Sequence, residues 1–281
     1  MIPKIIHYVW LGNEKKSLLI KKCINSWKKR LPDYELKLWN SENIPHNSWI
    51  DEALAEKKWA FVADYVRAWA LYKFGGIYLD SDIFVKKSFD EFLQNNFFTA
   101  IEFNEKKFYA TKSNELLNQD GSKKNPDSII QGLSIQSAIL GAEKESQYVK
   151  DIMDFYENKH FINSDGTYYT RMIAPDIQAF VLEKYGFKYQ NKTTQRLTGG
   201  GNCVYNKNLC KWHKECRQKL LCNSCLFFKL EKLFCIWKSK NENKDIYKNI
   251  VVTLKNWRKH DMTPKFLDNS TNVEVHYGSV A

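Results

Sequence analysis

Trp59-Ala60-Phe61-Val62-Ala63-Asp64-Tyr65-Val66-Arg67-Ala68-Trp69-Ala70-Leu71-Tyr72-Lys73-Phe74-Gly75-Gly76-Ile77-Tyr78-Leu79-Asp80-Ser81-Asp82 is the stretch that decides the fold. Phe61, Val62, Val66, Ala70 and Tyr72 to Phe74 recur at helical spacing, which predicts a helix over Trp59–Phe74. Gly75-Gly76 ends it, because glycine tolerates the left-handed backbone of a helix C-terminus. Ile77-Tyr78-Leu79 then reads as a short buried strand with Asp80-Ser81-Asp82 at its carboxyl end, and Ile83–Val85 is expected to resume as strand.

Working outward, Lys4–Leu11 is a β-rich apolar run stopped by Gly12-Asn13. Ser17 suits the cap of a helix reaching Lys29, with Leu18, Leu19, Cys23, Ile24 and Trp27 on one face. Pro32-Asp33 breaks it, Glu35–Trp39 is a second strand, and Asn40–Ser48 is loop. Phe97–Ile101 is a further strand and Asn104–Asp127 a polar loop. Ile129–Leu140 and Ser146–Tyr156 supply more elements, Pro175 opens a helix to Tyr185, and Thr198–Asn202 is a turn. Strands and helices alternating in this way predict an open α/β sheet. Ligands of such sheets bind outside the carboxyl ends of the strands, where Gly12 and Asp80 both fall.

Asp80 and Asp82 point to opposite sides if the chain stays extended, and a turn after the strand brings them toward one point. Hard carboxylate oxygens suit Mn²⁺ or Mg²⁺, which bind through one or two carboxylates, water and substrate phosphates. Asp-x-Asp is also a common solvated turn, so its neighbours carry the argument. Asp64 and Arg67 are three apart on one helix face, inside an otherwise apolar window. A helix running back along the sheet brings that charged face to the acidic turn.

The run Ala60–Arg67 followed by Leu71–Asp82 closely resembles the DXD-containing sugar-binding region of family 32 glycosyltransferases, and Ile2–Gly12 resembles the first strand of that family. Residues 1–103 carry the resemblance, which weakens at Ile139–Lys144 and at His276–Ser279. It implies a GT-A fold, Rossmann-like, with a UDP- or GDP-sugar donor and a retaining, metal-dependent transfer of a hexose to a glycan acceptor. It implies that Trp10 borders the base, that Asp64 and Arg67 hold donor hydroxyls, and that Asp80 meets ribose or sugar and, through water, the metal. Asp82 is then the direct ligand of Mn²⁺ or Mg²⁺, and Tyr78 lines the donor pocket. His7 and Gly12 join the donor-binding set, although a histidine within a buried strand is more often a satisfied core residue than a ligand. His276 and Ser279 match a C-terminal segment that closes over the diphosphate, His276 as a further metal ligand. Val280 stands where relatives carry Trp, so an aromatic lid is not expected.

Length and composition bound the rest. A chain of 281 residues with 43% hydrophobic and 27% charged residues builds a sizeable core and is not disordered. The domain reading is a GT-A catalytic core over 1–202, a helical, Cys-rich basic insert over 203–245, and a segment over 246–281 that returns to the active site. Six of the seven Cys lie from Cys203 to Cys235, with spacings Cys210-x2-His213-x2-Cys216 and Cys222-x2-Cys225. That pattern admits a structural Zn²⁺, although no second Cys-x2-Cys pair completes a known finger and reduced apolar Cys is the plainer reading. Leu226, Leu230, Leu233 and Trp237 among flanking lysines form an amphipathic stretch that suits an anionic membrane surface.

The net charge of +11 favours anionic partners without choosing among them. No apolar run reaches membrane-spanning length and no export signal is legible, so the expectation is a cytoplasmic protein, with peripheral contact at the inner face of the membrane. The function expected is bacterial capsular or surface polysaccharide synthesis, with a lipid-linked acceptor in view. The alternatives are a toxin-like enzyme that glycosylates a protein, a metal phosphohydrolase on the Asp pair, and a basic nucleic-acid-binding protein. No nucleic-acid-binding signature is found, so no nucleic acid is expected.

Overall fold

A computed structural model describes residues 1–204 apart from 158 and 192. The chain runs β1 (Ile5–Val9), α1 (Leu18–Arg30), β2 (Glu35–Trp39), α2 (Ser48–Ala55), α3 (Trp59–Phe74), β3 (Gly76–Leu79), β4 (Phe97–Phe103), α4 (Glu105–Ala110), β5 (Leu133–Ala142), α5 (Gln147–Glu157), α6 (Ala174–Glu183), β6 (Gln195–Leu197) and β7 (Gly201–Val204). The strands form one seven-stranded sheet in the order β2-β1-β3-β5-β4-β7-β6. β1 is parallel to β2 and β3, β4 is parallel to β7, and β5 and β6 are antiparallel to their neighbours. Five of the seven strands therefore share one direction, and the mixed α/β sheet fits the GT-A expectation.

Alternation along the strands sends side chains to two cores. Ile77 and Leu79 join Trp27 of α1 on one face of the sheet, and Tyr78 joins Val62, Val66 and Leu71 of α3 on the other. α3 folds back onto β3 through Gly75-Gly76. Both have positive φ, +63° and +111°, and a Cβ on either would press within 2.7 Å of the Lys144 amide or 2.6 Å of the Ile5 carbonyl. This turn sets the register of β3 against α3.

Several elements fall where the sequence puts them. β2 and α3 match to the residue, and the Ser17 side chain accepts the Ile20 amide at the start of α1. Others differ. Ile83–Val85 forms no strand: Ile83 and Val85 are buried and Phe84 is exposed, so the alternation is real. The backbone there bonds α1 instead of a strand, with the Trp27 indole donating to the Ile83 carbonyl (2.6 Å) and the Val85 amide donating to Ser26 Oγ (2.9 Å). The polar stretch expected as loop holds α4, capped by Asn104 accepting the Lys107 amide and burying Phe108. α2 and β6 were not legible as elements. β7 carries Cys203 and Val204 into the sheet, past residue 202. Residues 205–281, including the Cys/His cluster, the amphipathic stretch, His276 and Ser279, lie outside the described residues. Among the described residues no helix is long and apolar enough to cross a membrane.

His7 corrects the expectation of donor binding. It is fully buried on β1, with Nδ1 accepting the Trp39 indole N–H (3.2 Å) and Nε2 2.7 Å from the Gly75 carbonyl. An indole only donates, so Nδ1 is the acceptor and Nε2 carries the proton given to Gly75. The imidazole thus ties β1 to β2 and to the α3–β3 turn, and it has no nitrogen left for a ligand. Burial holds its pKa down to about 4. A histidine neutral in the fold and protonated on unfolding stabilises fully above its ordinary pKa of about 6.5 and loses that contribution as pH falls toward 4. Urea titrations from pH 8 to pH 4 should show stability falling by up to ~3 kcal/mol more in the wild type than in His7→Asn, which starts weaker at pH 7. Parallel pH profiles would contradict the buried neutral imidazole.

Candidate functional site

The site lies at the carboxyl edge shared by β1 and β3, which are adjacent and parallel. The Asp80 amide bonds the Ala138 carbonyl of β5 (3.0 Å), and the Ile83 amide bonds the Asp80 carbonyl (3.0 Å). Asp80-Ser81-Asp82-Ile83 is therefore a turn closed from its first residue to its fourth, with the two carboxylates at positions one and three. The strand does end in a turn, as the sequence requires. One flank of it is fastened to α1: Cys23 Sγ meets the Asp82 carbonyl (3.2 Å), beside the Trp27 and Ser26 bonds to Ile83 and Val85. These contacts join residues 56 to 59 apart, so no local signal in the sequence points to them.

Arg67 joins the helix to this turn. Its side chain is 5% exposed, with Nη2 3.3 Å from Asp80 Oδ1 and Nη1 3.4 Å from Asp64 Oδ1. The guanidinium lies 4.6 Å from the centre of the Tyr78 ring. Tyr78 and Asp80 are two residues apart along β3 and its exit, so both meet α3 from the same side of the sheet. One cation thus holds two carboxylates and an aromatic face, and it stays charged because those acidic neighbours outweigh its burial. Nε is buried without a hydrogen-bond partner, and Nη1 keeps its ion pair with Asp64 without a well-aligned hydrogen bond. A guanidinium carries five N–H donors, so the pairing does not exhaust Arg67.

The two carboxylates differ. Asp64 is 15% exposed, and burial pushes its carboxyl up to about 7 against the pull of Arg67, with the Asp80 charge adding to the rise. Asp80 is 36% exposed and faces solvent on its far side. Tyr78 is buried, and loss of water together with the Asp80 charge raises its hydroxyl far above the ordinary value. It packs beneath Arg67, where it positions the cation instead of forming an open pocket wall. Tyr156 of α5 lies behind the pair, its hydroxyl raised by burial and by the Asp64 charge.

Trp10 follows β1 on the same edge. Its amide bonds the Trp39 carbonyl (2.9 Å), its indole donates to the Glu14 carbonyl (3.2 Å), and Lys16 Nζ lies 4.9 Å from the ring centre. The residue is half-buried at the strand end. Gly12 has φ +79° and packs near the Trp59 indole at the start of α3. The structure therefore gathers Asp64, Arg67, Tyr78 and Asp80 by direct contact, sets Trp10, Gly12 and Asp82 along the same edge, and withdraws His7 into the core. Among the described residues no group of three or more His, Cys, Asp or Glu side chains is assembled as a metal site. Two turn carboxylates nevertheless suit a hard divalent cation that completes its shell with water and phosphate oxygens.

Comparison with known proteins bears on this edge. Residues 18–99 match the family described as "Glycosyltransferase sugar-binding region containing DXD motif", a span that includes Asp64, Arg67, Asp80 and Asp82. The inositol phosphoceramide mannosyltransferase 3 of Schizosaccharomyces pombe (strain 972 / ATCC 24843) is 36% identical over 106 residues, covering 33% of this chain and 27% of that protein. The chain thus spans about a quarter of the length of that curated relative. A solved structure titled PaToxG Glycosyltransferase aligns with 65% of this chain and 69% of its own, at 17% identity and a TM-score of 0.43, a likeness too loose to bear on the fold. Residues 18–99 are thus similar to a glycosyltransferase sugar-binding region that contains a DXD motif.

Proposed function

We propose that the chain is a glycosyltransferase that moves a hexose from a nucleoside-diphosphate sugar, UDP- or GDP-linked, to a glycan acceptor. The observation that carries this reading is Arg67: a buried cation clamped between two carboxylates at the sheet edge, with its Nε lacking a hydrogen-bond partner. A sugar hydroxyl both donates and accepts, so it can use a free guanidinium N–H and the Asp64 carboxylate together. Two such contacts on adjacent hydroxyls would fix the ring and present one face of the anomeric carbon. Trp10 would offer its ring to the base. Asp82 would hold Mn²⁺ or Mg²⁺, with Asp80 assisting through water while keeping its bond to Arg67. When bound, such a cation offsets the negative charge that builds on the departing diphosphate.

Burial of Asp64 and Arg67 excludes water from the sugar and strengthens every contact to it. The retaining stereochemistry, the capsular or surface-polysaccharide role, the lipid-linked acceptor and the inner-membrane location belong to this proposal and rest on the resemblance alone.

The test is a panel of nucleotide sugars with Mn²⁺, read as donor hydrolysis, alongside melting of the protein with UDP or GDP. One donor should be hydrolysed, and its nucleotide should raise the melting temperature only when Mn²⁺ is present. Asp82→Asn should abolish that shift and lower turnover about 10²–10³-fold while the circular dichroism is unchanged. A metal-independent shift that survives in Asp82→Asn would contradict the reading.

Arg67→Gln should cost about 3–5 kcal/mol in urea unfolding, because it leaves Asp64 buried without its counter-charge. A loss below ~1 kcal/mol would show that the ion pair is not held as described.

A further inference from the structure

Outside the donor edge, the described residues enclose a cavity of about 220 Å³ between the segment 123–130, the end of α5 and the start of α6. We propose that this cavity seats one neutral hexose unit of the glycan acceptor, an inference that rests on the glycosyltransferase reading above.

Size is the first argument. Pockets for drug-sized ligands run ~300–1,000 Å³, so this space suits one ring and not a nucleotide. A second hollow, of about 490 Å³, shares Lys159 and Tyr169 with it and gives room for the remainder of a glycan.

Chemistry is the second. Phe155, Tyr169 and Phe180 bring aromatic rings to the lining; Lys159 Nζ lies 4.6 Å from the centre of the Phe155 ring and Lys123 Nζ 5.4 Å from that of Phe180, which leaves the Tyr169 ring to accept the C–H side of a pyranose. Between them stand planar polar groups at Asp127, Asp176 and Arg171, with the Lys159 ammonium beside them, able to bond equatorial hydroxyls. The charges balance. Lys123 also lines the cavity, but it is spent on Glu183 (2.8 Å) and on the Pro126 and Ser128 carbonyls (2.8 and 3.0 Å). That leaves Lys159 and Arg171 against Asp127 and Asp176, with the Lys107 charge also acting on Asp176, so the lining carries no strong excess of either sign. Burial also raises the Asp176 carboxyl above the ordinary range, in keeping with a site that sheds water.

Position is the third. β5 runs antiparallel to β3, so the segment leading into Leu133 enters from the carboxyl side of β3, the side of the Asp80 turn. Ile129 and Ile130 of that segment line the cavity. Behind the cavity, the Phe155 ring lies 5.6 Å from that of Tyr156, and Tyr156 is the residue that feels the Asp64 charge. Tyr169 reaches the same layer through Trp49, whose ring is 5.5 Å from Tyr169 and 4.9 Å from Tyr156. The cavity's aromatic lining is therefore continuous, ring to ring, with Trp49 and Tyr156.

The experiment uses the full chain with methyl glucoside, galactoside and mannoside as probes. Saturation-transfer NMR reads binding, and transfer to the matching p-nitrophenyl hexosides is compared with donor hydrolysis. Phe180→Ala and Asp176→Asn are the variants, and Phe180, at 40% exposed, should tolerate truncation. One hexoside should give signals in the wild type that both variants lose. In the variants the acceptor KM should rise at least tenfold while donor hydrolysis and nucleotide-dependent melting stay unchanged. Hexoside signals that persist in both variants would overturn the proposal, as would no signal from any hexoside while nucleotide still stabilises the protein. Hexoside binding without any metal-dependent nucleotide effect would instead overturn the donor reading and leave the cavity as a sugar site.

Discussion

A guanidinium buried between two carboxylates is the constraint on which the site depends. Arg67 reaches Asp64 on its own helix and Asp80 on the turn after β3, and Tyr78 closes its underside. Burying such a cation is tolerable only because both counter-charges are held in place. Its Nε is buried without a hydrogen-bond partner, at the edge where α/β sheets bind ligands.

The rest of the described fold keeps that geometry fixed. Gly75-Gly76 allows α3 to reverse directly into β3, and His7 bonds the turn from below while taking the Trp39 indole from the next strand. On the opposite face α1 fastens residues 82–85 with Cys23, Ser26 and Trp27, so the segment after the acidic turn is held by side chains instead of by a strand. Position of the two aspartates is thus set by contacts from both faces of the sheet.

Much of this was legible in the sequence because it is local. The helix over Trp59–Phe74, its glycine stop, the short apolar strand and the acidic turn are contiguous, and Asp64 and Arg67 share a face by helical spacing alone. What escaped is non-local. Ile83–Val85 alternates like a strand, but burial alternation does not reveal whether the partner is a strand or the side chains of α1. His7 sits in a motif-like run at the head of the chain, and only the approach of Gly75 and Trp39 shows that both ring nitrogens are committed. The cavity near α6 is built from three segments with no shared motif, and its residues are ordinary aromatics and charges in sequence. Gly201–Val204 reads as the edge of a Cys-rich island until its pairing with β4 places Cys203 in the sheet.

Calorimetric titration with Mn²⁺, comparing a free nucleoside diphosphate with its sugar conjugate, separates the sugar grip from the metal turn. Asp64→Asn should weaken binding of the sugar conjugate and leave that of the free diphosphate unchanged, whereas Asp82→Asn should weaken both. Equal weakening of the two ligands by Asp64→Asn, or weakening of neither, would contradict a sugar held by Asp64 and Arg67.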